Sequence, residues 1–393
     1  MSSVSIRLST RTGGAVLAAA LLAVPSPALA QAAAGPVLPP DGGVVYVTNA
    51  VSGDVSSLAV GPGAVLRPIG TPVLTGGQFP RGIALTPNGA TAYVVNSDSD
   101  TLSVFRVGAR GALQREPRIV KTGDEPWGAT VAPNGRTLYV TNTADATISA
   151  YRIGLGGTPI RLGDFPTTSD HPKQTVLSPD GRFLYLSYAD AEETADSPSR
   201  VVTRFAVRLD GTLGPAQDVA KVGPADYAIA ISPDGGLVYV ASSGAQNVWG
   251  FWRGADGSLT PVPGSPFPAP EFPVGLKVTP DGQHLYAAGN GSDTDSPPGG
   301  LLGFTILADG SLKPTADSPA PTPDHAVVEA VAITPDGRDV FAAIRDTSQV
   351  AAFEIGSGGR LKEAPRSPFA TGGERPLNQS IAVRPVPAPI TPR

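Results

Sequence analysis

The sequence predicts an all-β fold, a seven-bladed β-propeller with four antiparallel strands per blade. Three observations carry that prediction. A turn written Ser/Thr/Ala-Pro-Asp/Asn-Gly recurs six times, at Pro87, Pro133, Pro179, Pro233, Pro280 and Pro335. Short apolar runs rich in Val, Leu, Ile and Tyr flank each copy, and the 47 Gly and 42 Pro supply tight turns between them. The N-terminal part opens on the second run of a unit, while the C-terminal part closes on a first run, so the two halves complete one blade.

The turn prolines are spaced by 46, 46, 54, 47 and 55 residues, with Pro385 following Pro335 by 50. Periods of roughly 40 to 50 residues mark stacked supersecondary units. The first piece of a unit is apolar and enters the turn, as in Ile83-Ala84-Leu85-Thr86. In the turn, Pro fixes φ, Asp or Asn bonds its own backbone, and Gly takes positive φ. The second piece is Thr91–Asn96 (TAYVVN), Thr137–Asn142 (TLYVTN) or Leu237–Ser242 (LVYVAS). The third is TLSVFRV, TISAYRI or NVWGFWR, and Gly-rich turns such as Gly154–Gly157 lead into the fourth. One such sheet cannot bury both faces, so the blades stack about an axis and the split blade closes the ring, removing free sheet edges. The two long spacings are insertions between second and third pieces, Ala189–Ser199 and Gly289–Gly300. Their acidic residues lack a calcium-loop spacing and read as solvated loops.

Ahead of the repeats, Arg7 and Arg11 precede an apolar run, Ala15–Val24, then Pro25, Pro27 and the small-residue site Ala28-Leu29-Ala30. That order is a secretory signal peptide, expected over residues 1–30 with cleavage near Ala30. As a helix the run spans about 15 Å, half of a bilayer core, so no membrane span is expected. A linker over 31–43, the propeller over 44–386 and a Pro-rich tail over 387–393 follow. The expected location is secreted, periplasmic or in the cell envelope, and the expected state is monomeric.

Without the two leader arginines the balance is 27 − 34 = −7, and no basic run exists, which excludes nucleic acid as a partner. Cysteine is absent, so disulfides, cysteine-held metals and thiol nucleophiles are excluded. No GxSxG elbow, HExxH pair or phosphate-binding glycine loop occurs, and neither a cofactor nor a metal is expected.

The YVTN runs at Tyr46–Asn49 and Tyr139–Asn142, each followed by a Val/Ile-rich strand, and the phrases GSPF at Gly264 and RSPF at Arg366 resemble the seven-bladed lactonase family. That group includes 6-phosphogluconolactonases, muconate-lactonising enzymes and YVTN-repeat proteins of cell surfaces. The resemblance implies a channel-face site, with a His in the family at the place of Lys173, an Arg-His pair at Tyr227-Ala228, a Glu at Ser243, and an Arg matching Arg345. Only the last is kept here.

The repeat itself locates a ring. Six positions before each turn proline stand Arg81, Trp127, Lys173, Tyr227, Val274, Glu329 and Gln379, diverse where flanking positions repeat. The fourth-to-first crossings converge on one mouth of the channel, and the loops after the second pieces open there too, bearing Ala50, Ser97, Thr143, Ala189, Ser243, Asn290 and Arg345. Arg81, Lys173 and Arg345 are expected to hold an anion, Trp127 and Tyr227 to give apolar walls, Gln379 an amide, and Glu329 a base or acceptor. His171 lies two residues from Lys173 and is a second candidate base, and His325 is near a crossing loop. The competing reading is a solvated charge network on a loop-rich rim. Two functions follow: binding of a small anionic or sugar-like ligand, or of an envelope protein or glycan, with little or no catalysis; or hydrolysis of a lactone.

Overall fold

The computed structural model describes residues 43–189, 201–291, 299–320, 322 and 326–384. The leader, the linker up to 42, the interiors of both acidic insertions, His325 and the tail from 385 lie outside the described residues. Within them the chain forms seven antiparallel sheets and no helix beyond four three-residue 3-10 turns. No helix among them is long and apolar enough to cross a membrane.

Each sheet has the same order. The first strand of blades 1 to 6 is Pro80–Leu85, Pro126–Val131, Pro172–Leu177, Asp226–Ile231, Pro273–Val278 and Val328–Ile333. It pairs with a second strand, Thr91–Asn96 in blade 1, which pairs with a third, Thr101–Arg106, and then a fourth, Arg118–Lys121. The seventh blade is made from both ends: Val44–Asn49 pairs with Ile381–Arg384, placing Val45 opposite Val383 and Tyr46 opposite Ala382. The ring closes as the sequence predicts.

The second strands are buried along their whole length in most blades, because a neighbouring sheet covers each face. This is why they read as continuous apolar runs rather than as alternating ones. The core is correspondingly divided into seven wedges, one per pair of neighbouring blades. Tyr46, Val55, Ile83, Val94 and Phe105 fill the wedge between blades 7 and 1, and Tyr93, Leu102, Leu138 and Tyr151 that between blades 1 and 2.

The Tyr and Asn of the recurring second strand have distinct jobs. Asn49, Asn96 and Asn142 donate from Nδ2 to Ser56, Ser103 and Ser149 on the third strand of the same blade. The tyrosines tie one blade to the next. Tyr46, Tyr93, Tyr139, Tyr185, Tyr239 and Tyr286 donate to the carbonyls of Gly111, Gly157, Gly211, Gly257, Gly310 and Gly359, at 2.6, 2.7, 3.0, 2.9, 2.8 and 2.8 Å. Each acceptor is a positive-φ glycine in the turn before the next blade's fourth strand. Glycine is required at Gly359 twice over, since φ is 73° and an added Cβ would run into the buried His284 ring.

The seventh seam, between blades 6 and 7, departs from this rule. Phe341 stands in the tyrosine register and Ala64, at φ 57°, in the glycine register, and the two share one apolar cluster. Asp339 stands where the other blades carry Val44, Thr91, Thr137, Phe183, Leu237 and His284. Burial, with Asp336 and Glu354 nearby, pushes its carboxyl up to about 6.

Strand-one residues of all seven blades enclose an axial channel of about 460 Å³. The first strands all run from one end of this channel to the other, and they therefore present equivalent positions at one mouth.

Candidate functional site

A strained corner aims each first strand. The residue just before it has positive φ in five blades: Phe79 (55°), Glu125 (50°), His171 (55°), Ala225 (55°) and Phe272 (52°). Its carbonyl accepts the backbone N–H of the residue after the second strand: Ser97, Thr143, Ala189, Ser243 and Asn290, at 3.1, 2.9, 3.3, 3.0 and 3.1 Å. In blade 6, Val327 accepts from Arg345 at 2.9 Å. These repeated bonds clamp the two rings read from the register onto the same mouth.

Arg81, Trp127, Tyr227, Val274, Glu329 and Arg345 line one cavity of about 360 Å³ there, together with Ser243 and Asn290. Trp127 is 8% exposed and is sandwiched between cations. The Arg81 guanidinium carbon lies 3.7 Å from its ring centroid and Lys173 Nζ lies 3.6 Å from it. Two groups cannot share that place over one face, so they occupy opposite faces. Arg81 faces the cavity and Lys173, itself buried, stands behind the indole. Two cation–π contacts in a desolvated setting fix the ring's plane. Arg81 also lies 4.8 Å over Phe79. Burial lowers the Arg81 pKa, Glu125 and Glu329 pull it back up, and a guanidinium remains charged throughout. Its Nε is buried without an acceptor among the described residues.

Glu329 is 4% exposed and is held from two sides. Arg345 Nη1 donates to Oε1 at 3.0 Å. The Asn378 amide, oriented to satisfy both groups, donates to Oε2 and to the Glu329 carbonyl. Arg345 is held in turn by Asp346, at 3.0 Å from Nε. Burial raises the Glu329 pKa, while Arg345 and Arg81 oppose that rise. The result is a carboxyl group more basic than one in water.

The other predicted residues sit around this cavity rather than in it. Gln379 lines the axial channel, with its amide nitrogen 3.5 Å from the Lys173 carbonyl. His171 occupies the exposed corner before Lys173, outside the cavity lining. Four lining residues escaped sequence reasoning: Phe79, Arg375, Leu377 and Asn378. Asn378 stands seven positions before Pro385, where Pro80, Pro126, Pro172 and Pro273 stand in other blades. That broken proline register was the available signal. Among the described residues no group of three His, Asp or Glu could hold a metal.

Just before the first strand of blade 5, Glu271 is 4% exposed, one carboxylate oxygen has no partner among the described residues, and burial pushes its pKa up to about 7. The unfolded chain holds this proton less tightly. The cost is absent at low pH, where both states are protonated. It grows as pH rises from the unfolded pKa towards 7, reaching about 3 kcal/mol above that. Glu271→Gln is therefore expected to raise the melting temperature at pH 8, with the gain shrinking towards zero by pH 4. Thermal unfolding at the two pH values measures it.

The chain matches the family model described as "Lactonase, 7-bladed beta-propeller" over residues 7–126 and 121–223, together more than half of its 393 residues. No curated protein matches the sequence. Among solved structures, a protein described as a candidate 6-phosphogluconolactonase from Bacteroides uniformis is 19% identical, with 87% of this chain and 99% of that chain covered and a TM-score of 0.69. A second so described, from Bacteroides fragilis, is 18% identical over 87% and 98% of the two chains, TM-score 0.68. The periplasmic gluconolactonase of Pseudomonas aeruginosa is 18% identical over 88% and 99%, TM-score 0.68. At these identities the likeness shows the fold alone.

Proposed function

This chain belongs to the seven-bladed β-propeller lactonase family, and from that premise we propose that its channel mouth hydrolyses a lactone of an acidic or sugar-like compound. The observation that carries the reading is the convergence of Arg81, Glu329 and Arg345 in one walled cavity of about 360 Å³. The names of the structural neighbours point the same way.

The chemistry assigns a role to each group. Water attacks the lactone carbonyl carbon, the ring C–O bond breaks, and a hydroxy acid leaves. Glu329 takes a proton from the attacking water and returns it to the leaving ring oxygen. Arg81, on the cavity wall, faces the carbonyl oxygen as negative charge grows there. Arg345 holds Glu329 ionised and in place. Trp127 and Tyr227 flank the sugar-like ring. The product carries a carboxylate, which suits a mouth lined by three arginines, Arg81, Arg345 and Arg375.

A second reading has its own observation. Both oxygens of Glu329 are already engaged, by Arg345 and Asn378, which suits a ligand-binding face that does no chemistry. We also propose export through the leader at residues 1–30, which would give the mouth an extracytoplasmic ligand, protein or glycan to meet.

A panel of γ- and δ-aldonolactones separates the two. Turnover by the wild type, a loss in kcat of about 100-fold or more in Glu329→Gln, and a comparable loss in kcat in Arg81→Met are expected. No turnover across the panel leaves binding as the function of the mouth.

A further inference from the structure

We propose that the axial channel is a second ligand site, separate from the mouth, which takes a small apolar compound bearing one carboxylate, with Lys277 as its counter-ion. The argument starts from the register. Three positions before the turn proline, the first strands carry Ala84, Thr130, Val176, Ala230, Lys277, Ala332 and Ala382. Six small or apolar residues line the channel at this level, so packing does not call for a lysine. Lys277 nevertheless lines the lumen, where it is the sole charged residue among the described ones.

Its surroundings carry no other charge: Leu85, Val131, Ile231 and Val278 give the lining aliphatic stretches, and Thr130 and Gln174 neutral polar ones. Lys277 makes no hydrogen bond or ion pair among the described residues. Its side chain keeps accessible surface towards the lumen, and burial within the ring lowers its pKa, with no carboxylate among the described residues opposing the shift. An ammonium facing such a lumen gains more from an anion beside it than it would in bulk water. The channel of about 460 Å³ has room for that anion and for an apolar tail along the aliphatic wall. Lys277 lies three strand residues beyond Val274 at the mouth, about 10 Å deeper along the channel. At the mouth Glu329 and Asp346 both pair with Arg345, and the lumen lysine is not a member of that network.

Octanoate is the probe, titrated calorimetrically into the wild-type protein, Lys277→Met and Arg81→Met. Methionine keeps the length and apolar stem of lysine and removes the charge. The expected result is saturable binding to wild type, weakened at least about tenfold in Lys277→Met and unchanged in Arg81→Met. Because Arg81→Met disables the proposed hydrolytic site, the lumen site stands or falls independently of lactone turnover. Absence of octanoate binding, equal binding by wild type and Lys277→Met, or loss in Arg81→Met each overturns the proposal. The melting temperature of Lys277→Met verifies that the variant is folded, and an increase is expected once the unpaired charge is gone.

Discussion

Arg345→Met is expected to destabilise the protein by about 3–5 kcal/mol, far more than removal of a surface charge, because it leaves the Glu329 carboxylate buried without its cation. Glu329 is among the most enclosed charged groups of the mouth, and burial already raises its pKa with Arg345 in place. Removing Arg345 raises it further. The sign of the pH effect follows. At low pH both folded and unfolded chains carry the protonated acid, and the variant loses little. As pH climbs past the unfolded pKa, the folded state must hold a proton or bury a bare charge, and the deficit grows. Glu329→Met alone leaves Arg345 with Asp346 and partial solvent, so it costs less. The double variant should recover most of the stability lost by Arg345→Met while remaining without turnover. Urea unfolding of the four proteins at pH 7.5 gives the coupling energy, and about 2 kcal/mol or more is expected. Additive losses would mean that the pair is not the electrostatic unit described.

Tyr46→Ala is the second large effect, expected at about 4–6 kcal/mol. Tyr46 is fully buried in the blade assembled from both chain ends, and its hydroxyl crosses to Gly111 in blade 1. Truncating a buried aromatic costs about 3–5 kcal/mol through lost burial and the cavity left behind. The Gly111 carbonyl also loses its donor in a buried place, adding roughly 1 kcal/mol or more. Tyr46→Phe isolates that last part, at about 1–2 kcal/mol. The seam between blades 6 and 7 provides the comparison, since Phe341 already fills that register without a hydroxyl. Tyr46→Ala should also expose the closing strand Ile381–Arg384 to exchange. Hydrogen exchange across Val44–Asn49 and Ile381–Arg384, with the rest of the ring less affected, is the expected pattern. A loss spread evenly over all seven sheets would contradict a localised closure.

The repeat made most of the fold legible. Turn chemistry at Pro87 and its five successors fixed the strand boundaries, and the split unit at Tyr46 and Val383 announced the closure. The mouth was legible because register is conserved by geometry: residues six before each proline meet whatever their identity. Arg81, Trp127, Tyr227, Glu329 and Arg345 share a cavity for that reason. Register fails where the chain leaves the pattern. The segment from Thr371 to Ser380 joins blades 6 and 7 and is longer than most of the other crossings; it supplies Arg375, which no periodic argument could reach, and Asn378, which showed only as a broken proline register. The cation–Trp127–cation stack was beyond reach for a different reason, since adjacent ring members could lie beside one another in many rotamers. Lys277 was hidden in plain view: in KVTPDG it reads as an ordinary strand residue until the lumen is seen to surround it.

The most direct measurement is a crystal structure of the protein grown with an aldonate, the kind of product that lactone opening leaves. The carboxylate is expected between Arg81 and Arg345, with the sugar chain against Trp127 and Tyr227. An aldonate bound elsewhere, with only water in the mouth at saturating concentration, would contradict the site.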